Sequence, residues 1–97
     1  MTYTLHPGAE LDLDEACRRY RKSASGRVIV GFLDEFDRVA HLLAKEPGLG
    51  TPAGDKRASF PLRRFPYTVI YKPTGAGIRV LVVRHQHRDP EHGEKRR

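Results

Sequence analysis

The sequence predicts a small α+β domain: an N-terminal strand, an antiparallel helical hairpin, and a three-stranded antiparallel meander whose sheet packs on the helices. Two observations predict this fold. Apolar residues recur at helical spacing through two segments of the first half, with only a short break between them. In the second half, runs rich in β-branched and aromatic residues alternate with Gly- and Pro-rich turns, as strands do. A chain of 97 residues is long enough for one domain, residues 1–97, with a single modest core.

The first elements are a short strand over Thr2–His6 and a helix over Gly8–Lys22. Pro7 suits a first helical turn, because its φ angle is fixed near the helical value. Acidic residues fill the first half of the helix and basic residues the second half, which complements the helix dipole. The acidic residues are Glu10, Asp12, Asp14 and Glu15, and the apolar face comprises Ala9, Leu13, Ala16, Cys17 and Tyr20.

The second helix follows a break at residues 23–26, with Ser25 as a candidate N-cap. It stops near Glu46, because a residue that precedes proline avoids the helical region. Since only a few residues separate the two helices, they are expected to form an antiparallel hairpin. The apolar stripe comprises Ile29, Phe32, Leu33, Phe36, Val39, Ala40 and Leu43, and the charged residues that fall away from it are Asp34, Glu35, Asp37, Arg38 and Lys45.

The second half begins with a loop over Pro47–Asp55, in which Gly and Pro residues exclude regular structure. Phe60–Tyr71 then forms two extended segments with a proline-marked bend between them, and Pro73–Gly77 forms a hairpin turn. Ile78–Arg84 is the most hydrophobic run and is predicted to be a central strand of a small antiparallel sheet. Residues 85–97 form a basic C-terminal tail, whose end is expected to fray or to help hold an acidic partner.

Charge is spread unevenly along the chain, whose formal net charge is +6. Residues 1–47 hold 7 basic and 8 acidic side chains, a balance of −1, whereas residues 48–97 hold 11 basic and 4 acidic, a balance of +7. The second half therefore suits a polyanion or an acidic protein segment, with its basic residues on the tail and on the sheet face opposite the helices. A solvated basic surface explains the charge alone equally well.

The sequence gives no sign of export, membrane insertion or a cofactor. Cys17 is the single cysteine, so no intrachain disulfide can form, and its place on the apolar helix face favours a core residue over a nucleophile. No apolar run reaches transmembrane length and the N-terminus lacks the apolar core of a signal peptide, so a cytoplasmic protein is expected. No metal or organic cofactor is predicted, since His85, His87 and His92 lack zinc-ligand spacing.

Four stretches carry a further pattern: residues 6–13 (HPGAELDL), residues 32–35 (FLDE) with the loop at 42–50, residues 62–71 (LRRFPYTVIY), and residues 82–90 (VVRHQHRDP). In this order and spacing they resemble the RelE/ParE superfamily of toxins from type II toxin–antitoxin systems. Glu46 stands where the family's loop has Asn. The resemblance covers nearly the whole chain and rests on the order and spacing of the four stretches together.

The resemblance implies a small cytoplasmic growth inhibitor, neutralised in a hetero-oligomer by the acidic, amphipathic C-terminal segment of a cognate antitoxin. RelE-type members cleave mRNA in the ribosome, whereas ParE-type members poison DNA gyrase and are not nucleases. Here Thr68 stands where the nucleases typically have a strand Arg, and no tyrosine follows Tyr71, which favours the gyrase interpretation. The alternative is a ribosome-dependent endoribonuclease in which Arg63, His87 and Arg88 supply the acid–base and cationic groups.

No residue is predicted to be catalytic under the gyrase interpretation, and one set of residues is predicted to contact the target or the antitoxin. Within that set, Tyr67 is better explained by packing than by chemistry. A non-toxic family member, kept as a binding module, is a third hypothesis. A direct DNA-binding repressor is disfavoured, because no helix-turn-helix pattern is evident. The predicted contact set comprises Arg63, Arg64, Tyr67, Arg84, His85, His87 and Arg88.

Overall fold

Two helices and a five-stranded mixed sheet make up residues 2–97, the part of the chain that the computed structural model describes. The α+β class, the helical hairpin and the meander that the sequence predicts are confirmed. The strand order is β1-β5-β4-β3-β2. The elements are β1 (Thr2–Leu5), α1 (Pro7–Ser23), α2 (Gly26–Lys45), a short 3-10 helix (Pro47–Leu49), β2 (Thr51–Pro52), β3 (Ala58–Pro61), β4 (Tyr67–Thr74) and β5 (Gly77–His85).

The helix boundaries follow from residues that the sequence marks. His6 is the N-cap residue of α1, and its ring Nδ1 accepts a hydrogen bond from the Gly8 N–H at 2.9 Å. Pro7 occupies the first helical turn, where its missing N–H costs nothing. Ser25 is the N-cap residue of α2 as predicted, although its side chain makes no capping hydrogen bond. The turn between the helices is therefore short, and the two helices pack as the expected hairpin.

One face of the sheet buries the apolar stripes of both helices. Leu33 is the exception among the predicted stripe residues of α2, because it is 40% exposed. Tyr71 on β4 is fully buried, and its hydroxyl donates to the Pro47 carbonyl and accepts from the Gly50 N–H, which fastens the end of α2 to the sheet. The main core comprises Ala9, Ala16, Phe32, Phe36, Val39, Ala40, Leu43, Ala44, Ala58, Leu62, Tyr67, Val69, Tyr71, Ile78, Val80 and Val83.

The sheet differs from the prediction in two respects. β1 pairs with β5 in parallel, so the sheet is mixed rather than antiparallel. The loop predicted over Pro47–Asp55 contains β2, where Thr51 and Pro52 pair with β3. Pro52 lies on an edge strand, where its missing N–H is tolerated, which is why a Pro-rich loop still forms two residues of strand. Between Ile70 and Tyr71 the pairing skips Leu81, which forms a bulge in β5.

The C-terminal segment, residues 89–97, folds back over the sheet face that points away from the helices, and the prediction that its end frays is wrong. Successive turns shape this segment, with backbone hydrogen bonds such as that from the Arg96 N–H to the Gly93 carbonyl at 3.0 Å. Arg57 donates to the carbonyls of Gly93 and Arg96. Beneath the segment lies a second small apolar cluster of Ile70, Leu81 and Val82.

No helix among residues 2–97 has the length and apolarity needed to cross a membrane.

Candidate functional site

Within the described residues 2–97, no strand pairs with the second half of β5 on the side of β1, and the candidate site lies along this open edge. β1 ends its pairing at Leu5 opposite Val80, and the His6 N–H donates to the Val80 carbonyl before the chain turns into α1. α1 then runs beside β5 and forms a groove with it. The α1–β5 groove is lined by Asp12, Glu15, Ala16, Arg19, Tyr67, Val83, His85 and Arg88. Its cavity volume of about 10 Å³ admits roughly one water molecule, so it presents a surface rather than a ligand pocket.

Asp12 closes the open edge of β5 from within α1. Its Oδ2 accepts from the Val83 N–H at 3.0 Å and from Arg96 Nη1 at 2.6 Å, and its Oδ1 lies 2.9 Å from His92 Nε2. Arg96 Nη1 also donates to the Leu81 carbonyl at 3.0 Å. Burial alone would raise the pKa of Asp12, but the hydrogen bonds from Arg96, from the Val83 N–H and from His92 outweigh it and lower the pKa.

From the sequence, Asp12 is expected only to interact favourably with the helix dipole. In the structure its carboxylate also holds the C-terminal segment through Arg96 and His92. The signal was its spacing: Asp12 lies three residues after Ala9 and four before Ala16, both on the buried face. A carboxylate at such a position must find buried donors, because an unpaired buried charge is costly. Those donors lie on β5 and on the tail, which no local pattern indicates.

Glu35 plays a similar part at the bend between β3 and β4, although the sequence analysis placed it away from the buried stripe. It is 3% exposed, and its Oε2 accepts from the backbone N–H groups of Arg63 at 2.6 Å and Arg64 at 3.2 Å. Both arginines therefore lie in a bend rather than on a strand, with their side chains exposed. The guanidinium of Arg64 lies 3.6 Å from Glu35 Oε1 and 5.7 Å from the ring centroid of Phe65.

His85 is one of the residues that line the α1–β5 groove. Its ring centroid is 5.0 Å from that of Tyr67 and 5.4 Å from that of His87. The His87 N–H donates to His85 Nδ1 at 3.1 Å, which places the proton of a neutral His85 ring on Nε2. Burial lowers the pKa of His85, and electrostatic interactions with Arg19 and His87 lower it further. His85 is therefore a neutral ring near pH 7.

Four residues of the predicted contact set come together around this groove: Tyr67, His85, His87 and Arg88. Tyr67 is 3% exposed and packs against the rings of Phe32 and Tyr20, and burial raises the pKa of its hydroxyl. Arg88 Nη1 lies 3.1 Å from Glu15 Oε1 on α1.

The other three predicted contact residues lie elsewhere. Arg84 lies on the sheet face away from the helices and donates from Nη1 to the Pro90 carbonyl at 2.8 Å. Arg63 and Arg64 lie in the β3–β4 bend, at the same end of the sheet as His87, because the Gln86 N–H donates to the Pro66 carbonyl at 2.8 Å. Among residues 2–97, no group of three His, Cys, Asp or Glu side chains is arranged to hold a metal ion.

Residues 3–90 of the sequence match the family model for the ParE toxin of the type II toxin–antitoxin system, parDE. The chain belongs to the ParE toxin family. The resemblance to the RelE/ParE superfamily is thereby confirmed, and membership of this toxin family implies a cognate antitoxin as partner.

A solved structure of the ParE type has a similar fold. It is described as the chromosomal ParDE TA system from P. aeruginosa, and the match has a TM-score of 0.76. The match covers 88% of this chain and 95% of that chain at 18% sequence identity, so the likeness shows the fold alone. A search of curated proteins finds no match to the sequence.

Proposed function

We propose that this chain is a cytoplasmic toxin that stops growth by stabilising the complex of DNA gyrase with cleaved DNA, and that an antitoxin neutralises it by direct binding. The observation that carries the proposal is the match to the ParE toxin family over residues 3–90. The toxin acts as a binding protein on this account, and none of its side chains forms or breaks a bond of the DNA.

The arrangement of the basic residues supports binding over RNA cleavage. Cleavage needs a group that activates the 2′-hydroxyl, an acid for the leaving oxygen, and unpaired cations for the phosphorane charge. Glu15 offsets the charge of Arg88, and Arg63 belongs to a bend that Glu35 holds. Thr68 stands where the nucleases typically have an arginine, and it pairs with Arg84 on the sheet face away from the groove. A side chain at this position therefore points away from the histidines of the groove.

A ribosome-dependent endoribonuclease is the second candidate function, and one observation favours it. His85, His87 and Arg88 come together at one end of the α1–β5 groove, with His87 and Arg88 exposed. A neutral imidazole beside a second imidazole is a plausible acid–base pair near pH 7.

The surface that suits the antitoxin combines apolar and basic side chains. Val30 and Leu33, one helical turn apart on α2, are 59% and 40% exposed. Arg64 reaches α2 at Gly31, the residue after Val30, since its Nη2 lies 3.3 Å from where a Cβ atom of Gly31 would stand. We call Val30, Leu33, Arg63 and Arg64 the α2–bend surface. An acidic, amphipathic segment would bury its apolar face on the two aliphatic residues and pair its carboxylates with the two arginines.

Expression in cells tests the proposal. We expect the chain to arrest growth, to cause protein-linked breaks in chromosomal DNA, and to lose both effects when an antitoxin that binds it is co-expressed. Arg63→Glu/Arg64→Glu should weaken antitoxin rescue or toxicity at least tenfold in inducer concentration. Arg18→Glu/Arg21→Glu makes the same charge change on exposed residues of α1 and should leave both effects unchanged.

Two other outcomes would each replace the proposal. Growth arrest with mRNA cut at defined codon positions, and without DNA breaks, would establish the endoribonuclease, and His87 would be the first residue to substitute. Normal growth at full expression of the folded chain would identify a non-toxic binding member of the family.

A further inference from the structure

A basic depression lies on the sheet face away from the helices, between the C-terminal segment and the turn before β3. Its volume is about 770 Å³. Six basic and two acidic side chains line it, a formal balance of +4, and one of the six, Arg96, is paired with Asp12 outside the lining. We call it the outer basin, and its lining comprises Asp55, Lys56, Arg57, Lys72, Glu94, Lys95, Arg96 and Arg97.

One cation of the outer basin, Lys72, lies against a positive side chain beside the basin. Lys72 on β4 is the direct cross-strand partner of Arg79 on β5, and like charges at such positions destabilise a sheet. Among residues 2–97, no ion pair engages Lys56, Lys72 or Lys95, in contrast to Arg96, which Asp12 holds. Arg79 Nε donates to an oxygen of Arg97 at 3.3 Å, but among residues 2–97 no carboxylate pairs with Lys72, so a bound polyanion would relieve the repulsion.

The turn before β3 adds a second unfavourable feature at the same place. Asp55 and Lys56 have φ angles of +50° and +60°, in the left-handed region that favours glycine. The Arg57 N–H donates to the Gly54 carbonyl across this turn, and such a hairpin turn most often has glycine at the position of Lys56. Lysine therefore occupies a position whose backbone favours a residue without a side chain, and it places one more cation in the basin.

We propose that the outer basin binds the phosphate backbone of duplex DNA without reading its sequence. Every lining side chain is charged, which matches contacts to a phosphate backbone. A peptide segment needs apolar anchors, and no exposed large aliphatic residue among residues 2–97 belongs to the lining of the basin. The choice of DNA over RNA rests on the proposed function, since gyrase holds duplex DNA, and the basin would let the toxin contact that DNA directly.

The binding can be measured with the toxin alone, by fluorescence anisotropy of a labelled 20-base-pair DNA duplex of arbitrary sequence. Three or four phosphate contacts predict affinity that is roughly 40- to 150-fold weaker at 200 mM salt than at 50 mM. The variant Lys56→Ala/Lys72→Ala/Lys95→Ala should bind at least tenfold more weakly at 50 mM and show a smaller salt dependence.

A matched variant controls for net charge. Lys22→Ala/Arg27→Ala/Lys45→Ala removes three positive charges from exposed residues of the helical hairpin, and we expect less than a threefold loss of affinity. Equal losses in both triple variants, or no binding at 50 mM salt, would overturn the proposal. An acidic peptide or an RNA duplex of equal charge that binds more tightly than the DNA would also overturn it.

A single substitution separates binding from folding. Lys56→Gly gives the left-handed position its favoured residue, so the midpoint of thermal unfolding should rise or stay unchanged while DNA affinity falls two- to fivefold. Unchanged DNA affinity in this well-folded variant would count against the basin.

The outcome is separable from that of the proposed function. If the wild-type toxin binds DNA, the basin variant does not, and gyrase is unaffected by the wild-type toxin, the basin is supported as a DNA-binding site and gyrase is rejected as the target. If the wild-type toxin poisons gyrase but binds no DNA by itself, gyrase is supported as the target and the basin is rejected as a DNA-binding site.

Discussion

Two buried carboxylates, Asp12 and Glu35, hold two parts of the molecule in different ways. They are 6% and 3% exposed, and each accepts hydrogen bonds from backbone N–H groups in or next to the sheet. Asp12 also binds the largely buried side chains of Arg96 and His92, whereas the ion pair of Glu35 is with the exposed side chain of Arg64. The C-terminal segment is thus attached through charge. The β3–β4 bend is attached through its backbone, which leaves its arginine side chains available to a partner.

The largest effect is expected from removing the Asp12 carboxylate. Asp12→Ala leaves the Val83 N–H without its acceptor and the largely buried Arg96 without its counter-charge, so the free energy of unfolding should fall by about 3 kcal/mol or more. Urea denaturation measures this loss. Asp14→Ala, at an exposed position of the same helix, should change stability by less than about 0.5 kcal/mol. A loss below about 1 kcal/mol for Asp12→Ala would show that the cluster does not hold the C-terminal segment.

The Glu35 attachment should be weaker. Glu35→Ala removes the acceptor of two backbone N–H groups, and we expect a loss of about 2 kcal/mol in the free energy of unfolding. The cationic partners sharpen the contrast: Arg96→Ala should cost about 2 kcal/mol or more, and Arg64→Ala, at a side chain that is 67% exposed, less than about 0.5 kcal/mol. Equal costs for the two arginine substitutions would remove the distinction between the two attachments.

Acid should release the charge-held attachment. The pKa of Asp12 in the folded chain is lowered below its ordinary value of 3.8, so the native state binds fewer protons than the unfolded state there. The stabilisation is therefore fully present above pH 3.8 and is lost as the pH falls through the lower pKa of the folded state. Urea midpoints measured from pH 5 to pH 2 should fall less steeply in Asp12→Asn than in the wild type. Parallel curves for the two proteins would contradict the role of Asp12 in this pH range.

The smallest effect is expected at the exposed pair that Glu15 makes with Arg88. The two side chains are 44% and 37% exposed, so Glu15→Gln should change the free energy of unfolding by less than about 0.5 kcal/mol. The same substitution frees the Arg88 charge beside His87. If the nuclease alternative holds, ribosome-dependent mRNA cleavage should increase in this variant, while on the gyrase account mRNA stays intact.

The helices and the meander are predictable from sequence because their signals are local. The spacing of apolar residues predicts α1 and α2, and α2 ends at Lys45 because Glu46, which precedes Pro47, avoids the helical region. The strands β4 and β5 follow from runs of β-branched residues with a Gly-containing turn between them. These signals depend on each residue's near neighbours alone.

The rest depends on contacts that are distant in sequence. Asp12 and Arg96 lie 84 positions apart, and Glu35 meets the bend residue Arg63 from 28 positions away. From sequence alone, a basic C-terminal tail is predicted to be solvated, and a carboxylate such as Asp12 in an amphipathic helix is predicted to be exposed. Only the fold shows that the two contact each other. The parallel pairing of β1 escaped prediction for the same reason, since nothing in Thr2–Leu5 indicates its neighbour.

The most direct test uses purified, antitoxin-free toxin with gyrase, ATP and supercoiled plasmid. The account predicts accumulation of linear DNA covalently linked to gyrase, in proportion to the toxin added, and its disappearance when an antitoxin that binds the toxin is present. Unbroken plasmid and unchanged supercoiling at toxin concentrations that arrest growth in cells would contradict the account and leave the ribosome as the leading target.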